Sequence, residues 1–138
     1  MKLTRRATIL AAMGTAFVAV LPMRATAAAD AAIADFTGGA APGANGITLT
    51  APEIAENGNT VPIEVSAPGA TEIRVYAAGN PTPDVATFLF GPLAAAQMAS
   101  TRIRLAGTQH VVAVAKMADG SFAEVRQEVK VTIGGCGG

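Results

Sequence analysis

The sequence predicts an all-β fold, an antiparallel sandwich of about seven short strands with a short helix before it and a flexible arm after it. Short apolar segments of alternating hydrophobicity recur along the chain, and turn signals rich in Gly, Pro, Asn and Asp separate them. The length of 138 residues suits one domain. A hydrophobic content of 51% with only 14% charged residues excludes disorder throughout the chain.

The first segment, residues 1–27, has the pattern of a cleaved export signal. Lys2, Arg5 and Arg6 precede an uncharged stretch over 7–23, and an alanine-rich tract with A-x-A spacing follows. The stretch is too short and too polar for the roughly 20 apolar residues of a membrane span. The adjacent arginines before a weakly hydrophobic segment resemble a twin-arginine signal. We therefore expect export to a periplasm-like space and no membrane anchor after cleavage.

Charge and cysteine content exclude several classes of protein. Ten basic and ten acidic residues leave no excess of positive charge for binding nucleic acid. Four of the basic residues lie in the predicted signal, so the mature chain keeps six basic against ten acidic residues, a formal charge of −4. The single cysteine excludes an intrachain disulfide and a thiolate-based zinc site, and no cluster has metal-ligand spacing. We expect no metal and no cofactor.

The folded domain is predicted to span residues 28–133. A short helix over 30–36 comes first. Pro62 places its strand at a sheet edge or at a strand start, because proline has no N–H to donate. The run from Val111 to Val114 is apolar on both faces, which predicts a central strand or a strand whose outer face meets another subunit. The strand segments and their spacing favour an immunoglobulin-like sandwich; they are centred on residues 47–50, 61–65, 72–75, 87–90, 102–105, 111–114 and 125–133.

The chain ends Gly134-Gly135-Cys136-Gly137-Gly138, which we interpret as a flexible carrier arm, residues 134–138. Glycine has no Cβ, and five residues extend at most about 16–18 Å. A thiolate is a strong nucleophile that can hold a substrate covalently, so Cys136 is the candidate attachment residue. No basic residue in the tail favours the thiolate, so we expect Cys136 to react slowly until a partner's electropositive pocket receives it.

Two other groups of side chains have a functional and a structural interpretation. His110 is the only histidine, and it begins the apolar run that follows it, which favours a strand-end or packed residue over a catalytic base. A Cys–His hydrolase also needs a fixed nucleophile, which a glycine-flanked terminal cysteine does not provide. Arg102 and Arg104 share one strand face and suit either a bound anion or a solvated surface.

With these residues in view, the chain is similar to the SoxY family, the sulfur carriers of the periplasmic thiosulfate-oxidising multienzyme system. The ending from Val129 to Gly138 carries the resemblance through its Gly-Gly-Cys-Gly-Gly motif. Four further segments support it and extend it over the mature chain, and the leader fits as well; they are residues 56–63, 80–83, 100–106 and 117–122.

The resemblance implies a covalent carrier rather than an enzyme, paired with SoxZ in a heterodimer or higher assembly. Cys136 would be the attachment site, and the glycines of the arm its flexible support; these are Gly134, Gly135, Gly137 and Gly138. The c-type cytochrome SoxAX would couple thiosulfate to the thiol, the hydrolase SoxB would release sulfate, and the sulfane dehydrogenase SoxCD would oxidise the remaining sulfur. The alternative from a different class is an exported immunoglobulin-like binding or adhesion module whose Cys136 forms an interchain disulfide.

Overall fold

The computed structural model describes residues 23–135. The predicted export signal up to residue 22, and Cys136, Gly137 and Gly138 at the other end, lie outside the described residues. Within the described part, one helix precedes eight strands in two sheets. The elements are α1 (Met23–Thr37), β1 (Thr48–Thr50), β2 (Ile54–Ala55), β3 (Val61–Ser66), β4 (Ala70–Ala77), β5 (Asp84–Leu89), β6 (Met98–Ile103), β7 (Gln109–Met117) and β8 (Phe122–Val131).

The two sheets form the predicted sandwich. One has three strands in the order β1-β3-β6, and the other has five in the order β2-β8-β7-β4-β5. The pairs between strands are antiparallel except β2 with β8, which is parallel. Pro62 lies at the start of β3, where Arg102 of β6 is its partner and the pairing with β1 has not yet begun. Its missing N–H therefore interrupts no ladder on the β1 side.

The alternation seen in the sequence becomes the two faces of each strand. In β3, residues 61, 63 and 65 point into the space between the sheets while their neighbours are more exposed. In β4, Ile73 and Val75 do the same. Ile133 departs from this pattern, because β8 ends at Val131 and the Ile133 side chain is 66% exposed. The apolar core lies between the sheets, as the alternation predicts.

Strand β7 is central, and this chain covers its outer face with its own helix. Val111 and Ala113 face the core between the sheets, whereas Val112 and Val114 face the other way and pack under α1. From α1, Ile33 is buried in this second cluster. The sequence left open a central strand or a subunit contact, and in this structure the outer face is filled from within the chain.

Aromatic and charged side chains complete the contact between α1 and the five-stranded sheet. The rings of Phe36 and Phe122 meet edge to face with centroids 5.5 Å apart. The Arg74 guanidinium lies 4.2 Å from the centroid of Phe36 and forms a 2.7 Å ion pair with Glu72. Tyr76 is 1% exposed beneath the helix, and this burial raises the pKa of its hydroxyl. The helix is thus an integral layer of the domain.

The helix is longer than the sequence predicts. The helix already includes Met23, the first described residue, well before residue 30, because the alanine-rich tract before Asp30 is also a strong helix former. Among the helix residues whose burial is described, 26–37, the first buried one is Ala29, so cleavage after residue 27 would leave these buried residues in place. Among the described residues, none of the helical structure has the length and apolar character needed to cross a membrane.

Candidate functional site

The tail leaves the sandwich at one end, which we call the arm end. Three loops meet there, over residues 56–60, 78–83 and 104–108, together with the end of β8. The strand registers require this convergence, because Val61 pairs with Ile103 and Gln109 pairs with Val129. Residues that are far apart in the sequence therefore surround the point where the tail begins.

The first residues of the tail continue the pairing of β8 beyond its end. The Thr132 N–H donates to the Ala55 carbonyl at 3.1 Å, and the Thr132 hydroxyl donates to the Glu56 carbonyl at 2.9 Å. The Val131 N–H donates to the Thr108 hydroxyl at 2.9 Å. The chain is consequently tied on both sides before it reaches the first glycine of the motif.

Beyond Thr132, two backbone hydrogen bonds link the tail to two of the loops, and a third joins these loops to each other. The Gly58 N–H donates to the Ile133 carbonyl at 2.7 Å, and the Leu105 N–H donates to the Gly58 carbonyl at 2.7 Å. The Gly135 N–H donates to the Leu105 carbonyl at 2.8 Å. The sequence suggests an arm with nothing to pack against, but Gly134 and Gly135 are packed against the domain in this structure.

These contacts are so close that they leave no room for side chains. A Cβ atom on Gly134 would collide with the Ala106 carbonyl oxygen. A Cβ on Gly135 would lie 2.8 Å from the Gly58 carbonyl oxygen, and one on Gly58 would lie 2.7 Å from the Gly135 nitrogen. The obstructing atoms belong to the backbone, which cannot rotate away. Glycine is therefore required here for close approach, in addition to any freedom that it gives the tail.

A buried amide pair supports the 104–108 loop from behind. Asn80 has no exposed surface, and its Nδ2 donates to the Arg104 carbonyl at 2.8 Å. Its Oδ1 accepts from the Ala106 N–H at 2.9 Å and from Gln109 Nε2 at 2.8 Å. These bonds fix the backbone on both sides of Leu105, whose carbonyl holds Gly135.

The other candidate residues lie away from the tail or beside it. His110 is the second residue of β7, and its side chain is exposed. Arg102 and Arg104 line a shallow cleft of about 310 Å³ together with Asp84, so an acidic group shares that surface. Within residues 23–135, no three His, Cys, Asp or Glu side chains lie together as metal ligands would. Cys136, Gly137 and Gly138 lie outside the described residues.

Sequence reasoning missed the residues that hold the start of the tail. Gly58 stands in an Asn-Gly-Asn turn, which accounts for it without any further role. The sequence feature that could have indicated a supporting role was Asn80, an amide residue in a loop with Pro81 and Pro83. A buried amide needs partners, but the sequence does not reveal that those partners are Arg104, Ala106 and Gln109.

Comparisons with known proteins agree with this architecture. The model of the sulfur oxidation protein SoxY family matches residues 33–136. The structure of the sulfur carrier protein SoxY from Chlorobium limicola f thiosulfatophilum is similar at 40% identity and a TM-score of 0.63, covering 75% of this chain and 96% of that one. A comparison with curated proteins returned no match.

A more distant likeness concerns the fold alone. The superoxide reductase (neelaredoxin) from Ignicoccus hospitalis is similar at 20% identity and a TM-score of 0.55, covering 63% of this chain and 80% of that one. The family match, by contrast, spans most of the sequence and ends at Cys136. The chain belongs to the SoxY family of sulfur oxidation proteins.

Proposed function

We propose that the protein is a sulfur carrier that holds the intermediates of thiosulfate oxidation covalently on the Sγ atom of Cys136. The observation that carries this proposal is the place of the only cysteine in the chain. It follows directly after Gly135, which is bound at the arm end, and it is the last residue of the family match. A nucleophilic sulfur at such a point can be presented to other proteins while the domain stays folded.

For loading and release we propose the steps that the chain's membership of the SoxY family implies. Loading forms a disulfide bond between Cys136 Sγ and the sulfane sulfur of thiosulfate. Two electrons pass to a c-type cytochrome partner of the SoxAX class, and the thiol proton goes to solvent. Hydrolysis by a partner of the SoxB class then adds water, releases sulfate and leaves a persulfide on Cys136. A SoxCD-class dehydrogenase oxidises that remaining sulfur, so the carrier itself catalyses no step.

The surroundings of the tail support a passive carrier. The atoms nearest to Gly134 and Gly135 are backbone atoms of uncharged residues, namely Gly58, Leu105 and Ala106. A cysteine becomes strongly nucleophilic when a neighbouring positive charge or a general base stabilises its thiolate. We infer that a partner's active site supplies this activation, which confines the reaction of Cys136 to docked complexes. We also propose that the protein is exported by the twin-arginine route, pairs with SoxZ and acts in the periplasm.

The experiment is a mass measurement on protein purified from cells grown with and without thiosulfate. We expect sulfur-containing adducts that depend on thiosulfate, map to the peptide containing Cys136 and vanish in a Cys136→Ser variant. A chain that is unmodified under both conditions would refute the carrier. A dimer that a reductant separates would instead support the binding module with an interchain disulfide.

A further inference from the structure

We propose that Arg102 and Arg104 form a docking surface at the arm end for an acidic protein surface, the one that borders the active site of a partner enzyme. We call these two residues the arginine pair. Their charges steer the partner toward the end of the sandwich from which the tail leaves. The inference rests on the proposed carrier function, because a docking surface beside the tail is useful only if partners act on the tail.

The first support is that the domain does not neutralise the charges of the arginine pair. The other two arginines of the strands each form an ion pair with the glutamate two positions earlier in the same strand; these are Arg74 with Glu72 and Arg126 with Glu124. Before Arg102 that position holds Ser100, and before Arg104 it holds Arg102. Within residues 23–135, no carboxylate lies within ion-pair distance of either guanidinium of the pair. Both positive charges are therefore available to a group from outside the domain.

The second support is the position of the pair beside the start of the tail. Arg102 precedes the last residue of β6, and Arg104 begins the loop that follows. In that loop, the Leu105 carbonyl accepts the hydrogen bond from the Gly135 N–H. The Asn80 side chain donates to the Arg104 carbonyl at 2.8 Å, which holds the backbone that carries this guanidinium. A surface that contacts the arginine pair therefore also meets the point where the tail leaves the domain.

The third support is the shape of this surface, which suits a protein better than a small anion. Both arginine side chains are exposed, and they line a shallow cleft of about 310 Å³. Asp84 lines the same cleft, so its carboxylate would repel a small anion inside it. A protein surface can cover the cleft without entering it, and its aspartate and glutamate side chains can accept hydrogen bonds from the guanidiniums.

The fourth support is the contrast with the rest of the molecule. The chain after the predicted signal has six basic against ten acidic residues, so it repels an acidic partner as a whole. Lys130 shares its surface with Glu53 and Glu128, and Lys116 faces Glu72 across the ladder between β7 and β4. The arginine pair is thus a local positive surface on an acidic molecule, and it favours encounters in which the partner approaches the arm end.

The test measures the rate at which the carrier associates with a purified hydrolase of the SoxB class. The carrier is purified with any subunit that accompanies it, and it contains Cys136→Ser so that no sulfur chemistry contributes. We expect Arg102→Glu and Arg104→Glu each to lower the association rate constant about three- to tenfold at about 20 mM salt. This difference should disappear at about 0.5 M salt, because ions screen exposed charges.

Lys116→Glu is the matched control. It changes the net charge by the same amount, and Lys116 is exposed near the other end of β7, roughly 23 Å along the strand from Gln109. We expect its association rate constant to stay within about twofold of the unsubstituted value. Equal losses in the control and in the arginine variants would overturn the proposal, as would no loss in either arginine variant. Circular dichroism checks that each variant is folded.

A change of salt distinguishes a protein surface from a small-anion site. With sulfate in place of chloride at equal ionic strength, a docking surface predicts the same rate constant, because only screening acts. Slower association in sulfate that both arginine variants abolish would assign the pair to a small anion and overturn the proposal. No association of the carrier at low salt would overturn it as well. Adducts on Cys136 are measured separately, so this proposal can fail while the carrier function stands, and the reverse.

Discussion

Replacing Asn80 with alanine tests whether the buried amide supports the arm end. The change removes one bond donated to the Arg104 carbonyl and two bonds accepted from Ala106 and Gln109. Gln109 Nε2 keeps a second acceptor, the Gly107 carbonyl, so two backbone groups lose their partner. Each buried group left unpaired costs about 1–3 kcal/mol, and both sites are only partly buried. We therefore expect the free energy of unfolding to fall by about 2–4 kcal/mol.

Urea unfolding measures this loss, with a control in the same loop. The chain has no Trp and one Tyr, the buried Tyr76, so tyrosine fluorescence and far-ultraviolet circular dichroism report the transition together. Thr82 is exposed in the same loop, and Thr82→Ala should stay within about 0.5 kcal/mol of the unsubstituted protein. A change for Asn80→Ala as small as that of the control would refute the reasoning.

An Asn80→Asp variant tests the direction in which the free energy of unfolding changes with pH. Aspartate keeps the shape, but at neutral pH it turns a carboxylate oxygen toward the Arg104 carbonyl in place of the Nδ2 donor. Burial and the facing carbonyl raise the pKa of this carboxyl in the folded state. The folded protein then binds the proton more tightly, so stability is recovered below the unfolded pKa of about 3.9 and lost as pH rises through the folded value. If the free energy of unfolding changed with pH in the same way as in the unsubstituted protein, this would contradict the hydrogen bond from Asn80 Nδ2 to the Arg104 carbonyl.

Two further predictions concern the helix layer. Ile33→Ala should lower the free energy of unfolding by about 2–4 kcal/mol, because Ile33 fills the cluster over β7. In the same urea titration, the exposed control Asp35→Ala should change it by less than about 0.5 kcal/mol. Equal effects of the two substitutions would mean that α1 does not pack on the sheet. Burial raises the pKa of Tyr76, and among the described residues its hydroxyl has no hydrogen-bond partner, so Tyr76→Phe should cost little at neutral pH. Above pH about 10 the unfolded chain loses the tyrosine proton first, so the unsubstituted protein should lose stability faster than Tyr76→Phe; identical alkaline profiles would refute this.

Most of the fold could be predicted from the sequence because its signals are local. Alternation within segments such as 61–65 places one face of a strand in the core, and turn residues separate the strands. Strand β2 was missed because a two-residue strand shows no period, and its register with Lys130 and Val131 is a long-range feature. The same limit explains why the apolar run in β7 left two interpretations, since its cover comes from a helix that lies about 80 residues earlier in the chain.

The sequence predicts which residue is the attachment site, but it does not reveal how the start of the tail contacts the domain. A cysteine flanked by glycines is visible in the sequence, and it remains the predicted attachment residue. The sequence does not reveal whether a glycine is present for conformational freedom of the backbone or for the close approach of two segments. The sequence does not distinguish Gly107 from Gly134, but only at Gly134 would an added Cβ atom collide with a backbone carbonyl oxygen. That distinction depends on packing between segments about 30 residues apart, which no local pattern records.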